Sequence, residues 1–127
     1  MRTVRNARGF TLIELMVVVA IIGILAAIGT MLFANTSTRA RVAKAQADVR
    51  TIASAVTLYS VHMGTLPPNI AAVAAPAVNG NGETAGPFLP SVPRPPSAAW
   101  QPYTYVPAAD GTFTISTSGE GYNVSVP

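Results

Sequence analysis

Between Phe10 and Phe33 the chain runs for 24 residues with a single ionisable side chain, Glu14. Fourteen of those residues are Leu, Ile, Val or Phe. No other feature restricts the fold as strongly. As a helix the stretch is roughly 36 Å long at about 1.5 Å per residue, enough to cross a hydrocarbon core of about 30 Å. Its apolar side chains gain about 4 to 8 kcal/mol on insertion as an upper bound. One charge costs on the order of 3 kcal/mol at the bilayer centre and less near its edge. The segment therefore reads as membrane-spanning despite its acid. Arg2, Arg5 and Arg8 precede it and no further basic residue follows until Arg39, which predicts a cytoplasmic N-terminus. A secretory signal peptide has a shorter apolar region, about 7 to 15 residues. Neither that reading nor a plain anchor accounts for Glu14.

The apolar pattern changes after this segment, but no helix breaker appears before Met63. Val42, Ala45, Val49, Ile52, Val56, Tyr59 and Met63 recur at alternating steps of three and four. That spacing makes one apolar stripe, and Arg39, Arg41, Lys44, Asp48 and Arg50 fall off it. Lys44 and Asp48 also form an i, i+4 pair. Gly64, followed by Pro67 and Pro68, predicts the helix end. The expectation is one helix of about 50 residues and roughly 75 Å, greasy all round in its first half and one-sided in its second. About three heptads of stripe could form a coiled-coil seam, but a β region downstream offers a better partner.

Gly9-Phe10-Thr11-Leu12-Ile13-Glu14-Leu15-Met16-Val17-Val18-Val19 resembles the N-terminal signature of type IV pilins and type II secretion pseudopilins. The resemblance implies a basic leader, residues 1–9, cut between Gly9 and Phe10 by a prepilin peptidase. It further implies methylation of the new Phe10 amino group and a filament-assembly role for Glu14. Many members carry proline where Met31 stands; here only Gly29 and Thr30 weaken the helix nearby. After such a cut Glu14 lies in the first helical turn, where the dipole favours an acid. In apolar surroundings an acid needs a cationic partner. The amino group of Phe10, from the same chain or a neighbouring copy, is the nearby candidate. Pairing with a neighbour would make Glu14 a register pin for helices packed side by side.

The cut also removes the apparent basicity. Five basic residues (Arg39, Arg41, Lys44, Arg50, Arg94) then face five acids (Glu14, Asp48, Glu83, Asp110, Glu120), and the side-chain charge falls from +3 to zero. A nucleic-acid role argued from net charge fails for that form. Without cysteine there are no disulfides, thiol catalysis or zinc–thiolate sites.

Asn69 predicts a cap for a short helix, Ile70 to Ala75, closed by Pro76. Pro76 to Pro102 is rich in Pro, Gly, Asn and Ala and reads as loop. Strands are predicted at about 103–106, 112–117 and 122–126, with turns at Asp110-Gly111 and at Ser118-Gly119-Glu120-Gly121. Alternation sends Tyr103, Tyr105, Phe113, Ile115, Tyr122, Val124 and Val126 to one face, which the helix stripe covers. The fold class is α+β: a long N-terminal helix on a small antiparallel three-stranded sheet. Residues 10–33 form the transmembrane and filament-core helix, and 34–127 the periplasmic domain. Gly86-Pro87-Phe88-Leu89, Val92-Pro93-Arg94-Pro95 and Tyr103-Thr104-Tyr105 resemble the major pseudopilin of type II secretion, as do Phe113-Thr114-Ile115 with Gly119 and Gly121. Many of those proteins carry an aspartate-rich calcium loop near the end. The tail here has no aspartate, and Asp110 with Glu120 makes a poor site for an ion that takes about 6 to 8 oxygen ligands.

His62 stands alone near the helix end and reads as surface or packing. With one histidine and scattered acids, no nucleophile–base–acid set can be drawn, and no cofactor is expected. Trp100 reads as local packing. The leading reading is a non-enzymatic filament subunit of the type II secretion pseudopilus, with a type IV pilin as the alternative. The implied partners are copies of itself, other pilin-like subunits, the prepilin peptidase, an inner-membrane platform and a cytoplasmic assembly ATPase. A DNA-binding pilin would need a basic surface, yet beyond the helix the domain has only Arg94. A monomeric membrane-anchored binding module is the remaining class.

Overall fold

A computed structural model describes residues 9–127. The leader arginines Arg2, Arg5 and Arg8 lie outside the described residues. Two compact units are present, one ending at Ser37 and one spanning Thr38–Pro127. Helix α1, Leu12–Met63, contributes to both and continues without interruption through Gly29 and Thr30.

In the first unit every described side chain from 9 to 30, with Leu32 and Phe33, is exposed. This part of α1 is long and apolar enough to cross a membrane. Among the described residues none covers a face of it, so burial of this apolar surface needs lipid or other molecules.

In the second unit the stripe is buried as its spacing predicts. Ala45, Val49, Ile52, Val56 and Tyr59 are in the core, joined by Ala55, with Val42 and Met63 at its margins. They pack with Val73, Leu89, Trp100, Tyr103, Ile115 and Val124. Met63 ends the helix because Gly64 adopts φ 73° while its N–H bonds the Ser60 carbonyl at 2.8 Å, a left-handed cap that glycine adopts without steric cost.

Asn69 caps the next element, its Oδ1 accepting from the Ala72 N–H at 3.0 Å. That element is a short 3₁₀ helix, Ile70–Ala74, one residue shorter than expected, with Ala75 as its C-cap. The segment read as all loop contains a small hairpin, β1 (Ala77–Val78) with β2 (Thr84–Ala85). Two residues per strand are too few for a period-two signal. Its turn is held by Asn79, whose Oδ1 accepts from the N–H groups of Asn81 (3.0 Å) and Glu83 (2.9 Å).

The main sheet is antiparallel in the order β3 (Thr104–Pro107), β4 (Phe113–Gly119), β5 (Tyr122–Val126). Pairing of Gly119 with Tyr122 narrows the second turn to Glu120-Gly121. Both have positive φ, 54° and 82°, as a type I′ hairpin requires. One face assignment is corrected. Tyr122 is exposed, because the Trp100 ring already covers the Gly119 end of the inner face. Thr117, on the same face as Phe113 and Ile115, is buried, and its hydroxyl donates to the Gln101 carbonyl at 2.7 Å.

Trp100 forms a β-bridge to Gly119, and a Cβ there would lie 2.5 Å from Trp100 Cγ and 2.8 Å from its Cα. Gly119→Ala is therefore expected to cost about 1 to 3 kcal/mol through overpacking. Thermal unfolding of the detergent-solubilised chain, followed by circular dichroism, should show a clearly lower melting temperature. An unchanged midpoint would mean that Trp100 can move aside freely.

Candidate functional site

The helix start explains how Glu14 is held. Thr11 precedes the first helical residue, and its carbonyl accepts the Leu15 N–H at 3.3 Å, as an N-cap does. Its Oγ1 accepts from the Glu14 N–H at 3.3 Å. In return Glu14 Oε2 accepts from the Thr11 N–H at 2.9 Å and from the Thr11 hydroxyl at 2.8 Å. This reciprocal pair is a capping box, and Thr11-Leu12-Ile13-Glu14 carries its T-x-x-E signature. Reading the sequence for cationic partners alone passed over it. In the uncut chain the nearest partner of Glu14 is Thr11, and among the described residues no cation pairs with it.

Thr11 hydrogen-bonds the carboxylate without neutralising it. Two donors reduce the cost of keeping an acid at a membrane edge, but the net charge remains for a partner to meet. Phe10, Ile13, Val17 and Val18 form a shallow apolar depression around Glu14. Gly9 and Phe10 lie before the helix and are exposed, Phe10 at 83%. A Cβ on Gly9 would meet nothing, so the fold sets no demand for glycine there.

A second set of polar residues fastens the sheet to the helix. Arg41 Nε pairs with Glu120 Oε1 at 3.0 Å, and Trp100 Nε1 donates to Glu120 Oε2 at 3.3 Å. Both hold a non-glycine residue in left-handed backbone, which carries a steric cost. Tyr103 Oη donates to Asp48 Oδ2 at 2.6 Å, and Lys44 bonds the same carboxylate oxygen. Burial, together with the Asp48 hydrogen bond, raises the Tyr103 phenol well above its ordinary pKa. Burial likewise raises Tyr105, whose hydroxyl donates to the Pro67 carbonyl at 3.0 Å. His62 Nε2 lies 3.1 Å from the Glu83 carbonyl and 3.3 Å from that of Ala77, so this histidine ties the β1–β2 hairpin to α1.

The two weak calcium candidates are far apart. Asp110 sits in the β3–β4 turn and Glu120 in the β4–β5 turn, at opposite ends of the seven-residue β4. At about 3.3 Å per residue they are separated by roughly 20 Å, beyond the reach of one ion. Asp110 accepts from the Thr112 hydroxyl (2.6 Å) and N–H (2.9 Å). Those two bonds, the hydroxyl first, lower its pKa. Among the described residues no three His, Cys, Asp or Glu side chains converge.

Residues 33–124 match the family described as type II secretion system (T2SS), protein G. This chain belongs to that family. Residues 4–30 match the prokaryotic N-terminal methylation motif, which brackets Gly9, Phe10 and Glu14. A type IV major pilin protein, PilE1, of Neisseria gonorrhoeae is 46% identical over 71 residues, 55% of this chain and 33% of that relative. The type II secretion system core protein G of Pseudomonas aeruginosa is 44% identical over 57 residues, 45% of this chain and 40% of that relative. The chain thus spans between a third and two fifths of the curated relatives it matches. No solved structure matches significantly. The family is one of structural pilins and pseudopilins, not of enzymes.

Because Arg41 and Trp100 already hold Glu120, and Thr112 holds Asp110, added calcium should not stabilise this domain. Millimolar calcium and a chelator are expected to give the same melting temperature. A calcium-dependent rise would show that these residues or others assemble into an ion site.

Proposed function

We propose that the chain is a structural subunit of a type II secretion pseudopilus, whose helical filament drives protein export across the outer membrane. In this reading the prepilin peptidase cuts between Gly9 and Phe10, the Phe10 amine is methylated, and residues 10–33 become the filament core. The 34–127 domain stands in the periplasm. Other pilin-like subunits, an inner-membrane platform and an assembly ATPase complete the machine. The observation that carries the proposal is Glu14, hydrogen-bonded by Thr11 but without an ion-pair partner among the described residues, at the start of an exposed apolar helix. The match of residues 33–124 to the protein G family favours the pseudopilus. The likeness to a type IV major pilin supports the second reading, a type IV pilin.

The mechanism follows from the capping box. A cut after Gly9 leaves the Thr11 N–H and hydroxyl in place, so Thr11 continues to hold Glu14 in the single membrane-bound subunit. The cut creates an ammonium group one residue before Thr11. When a second subunit approaches, its amine meets a carboxylate already oriented at the helix tip, and the charges neutralise each other in a medium of low dielectric. Apolar helix surface then packs against apolar helix surface. A subunit out of register would leave an unpaired charge among hydrocarbon, so the acid selects position as well as partner.

Glu14→Ala is expected to insert in the membrane at normal abundance while sheared filaments fall by at least about tenfold, the loss of one low-dielectric charge pair. Thr11→Val removes the cap, worth about 1 kcal/mol, and should reduce filaments to a lesser degree. Wild-type filament yield from Glu14→Ala would sink the proposal. Intact mass from the native membrane should show a chain beginning at Phe10 and one methyl group heavier than its sequence. Loss of exoprotein secretion on deletion of the chain separates the pseudopilus from the pilus reading.

A further inference from the structure

The Thr38–Pro127 unit contains five basic and four acidic side chains. Two ion pairs, Arg41–Glu120 and Lys44–Asp48, account for two of each sign. Arg39, Arg50, Arg94, Glu83 and Asp110 remain, all exposed and without an ion-pair partner among the described residues. Their distribution is not mixed. Both acids lie at the end of the unit where α1 stops. The Glu83 backbone carbonyl is bonded by His62, one residue before the helix end. The bond from Tyr105 to the Pro67 carbonyl places the β3–β4 turn, which carries Asp110, just beyond the same end. Arg39 lies at the opposite end, and the Arg94 main chain lies on the same half of the unit, its carbonyl accepting from Lys44 Nζ at 2.8 Å beside Asp48. Arg50 lies between, in a groove against β5.

From Lys44 to His62 the helix rises about 27 Å. That exceeds the screening length of about 8 to 10 Å at physiological salt, so the acidic and basic ends of one domain scarcely feel each other. Two ends brought into contact are not screened in this way. Asn79 Nδ2 bonds the Glu83 carboxylate at 2.8 Å, and Thr112 holds that of Asp110. Both acids are thus positioned and still face solvent.

We propose that the acidic end of one domain, Glu83 and Asp110, docks against the basic end of a second copy, Arg39 and Arg94, as the head-to-tail contact between copies. This rests on the filament reading. The occupant is a second copy because each end carries the charge that the other lacks. A contact between two different patches of identical chains also propagates as an open array instead of closing as a dimer. The intrachain ion pairs engage Arg41 and Lys44 with Glu120 and Asp48, so Arg39 and Arg94 are the charges on that half left for a partner.

The test uses the full chain in cells with its own assembly machinery, with filaments quantified per membrane-inserted subunit. Glu83→Lys with Asp110→Lys, and separately Arg39→Glu with Arg94→Glu, should each lower filament yield by at least about fivefold, as like charges replace opposite ones. All four substitutions together exchange the ends and should restore the yield to within about twofold of wild type. Wild-type filaments should also shed subunits faster as salt rises from about 0.05 to 0.5 M, a measurement that needs no variant. The proposal is overturned if either double reversal assembles normally, if the fourfold exchange is no better than the doubles, or if shedding ignores salt. If the wild type forms no filaments, the filament reading falls and takes this one with it. Wild-type filaments indifferent to reversal remove this proposal alone.

Discussion

Burial of one helical stripe against one sheet face organises the domain. Val49, Ile52 and Val56 are completely buried, and so is Ile115, at the centre of the sheet. Truncating a side chain such as Ile52 to alanine typically costs about 2 to 5 kcal/mol, a large share of what a domain this small can have. A three-stranded sheet with one apolar face must bury that face against another layer. The second half of α1 provides the missing layer, and the hairpin and 3₁₀ helix close the sides through Val73 and Leu89.

Around that core a few polar contacts decide how the sheet lies on the helix. Asp48 meets Tyr103 near the middle, while Arg41 meets Glu120 at the far turn. Each joins residues distant in sequence, and each adds a long-range hydrogen bond or ion pair to a carboxylate that a second side chain also holds, Lys44 for Asp48 and Trp100 for Glu120. Their consequence reaches beyond stability, because the charges they neutralise determine which ones stay exposed at the two ends.

Some of this was legible in the residues. The stripe from Val42 to Met63 and the stop at Gly64 follow from helical period and cap chemistry, which are local rules. The three strands appeared at nearly the right places for the same reason. The hairpin at Ala77–Ala85 did not, since two paired residues leave no pattern. Tyr122 is exposed against the alternation, because alternation cannot know that the ring of Trp100 takes the space over Gly119. At the membrane end the T-x-x-E box was readable at Thr11 to Glu14, and a search for opposite charges alone overlooked it.

By itself the sequence determined that one helix serves two surroundings, that its apolar half carries a single acid, and that the rest is a small sheet needing a cover. Those conclusions depend on composition and on periods of 3.6 and 2, which are properties of neighbouring residues. Tertiary structure alone decided that Arg41 holds Glu120 across 79 positions, that Glu120 accepts left-handed backbone, and that the unpaired acids and bases separate to opposite ends. The reason is physical: a charge finds its partner by distance in space, and only packing of the stripe brings distant parts of the chain within reach of each other.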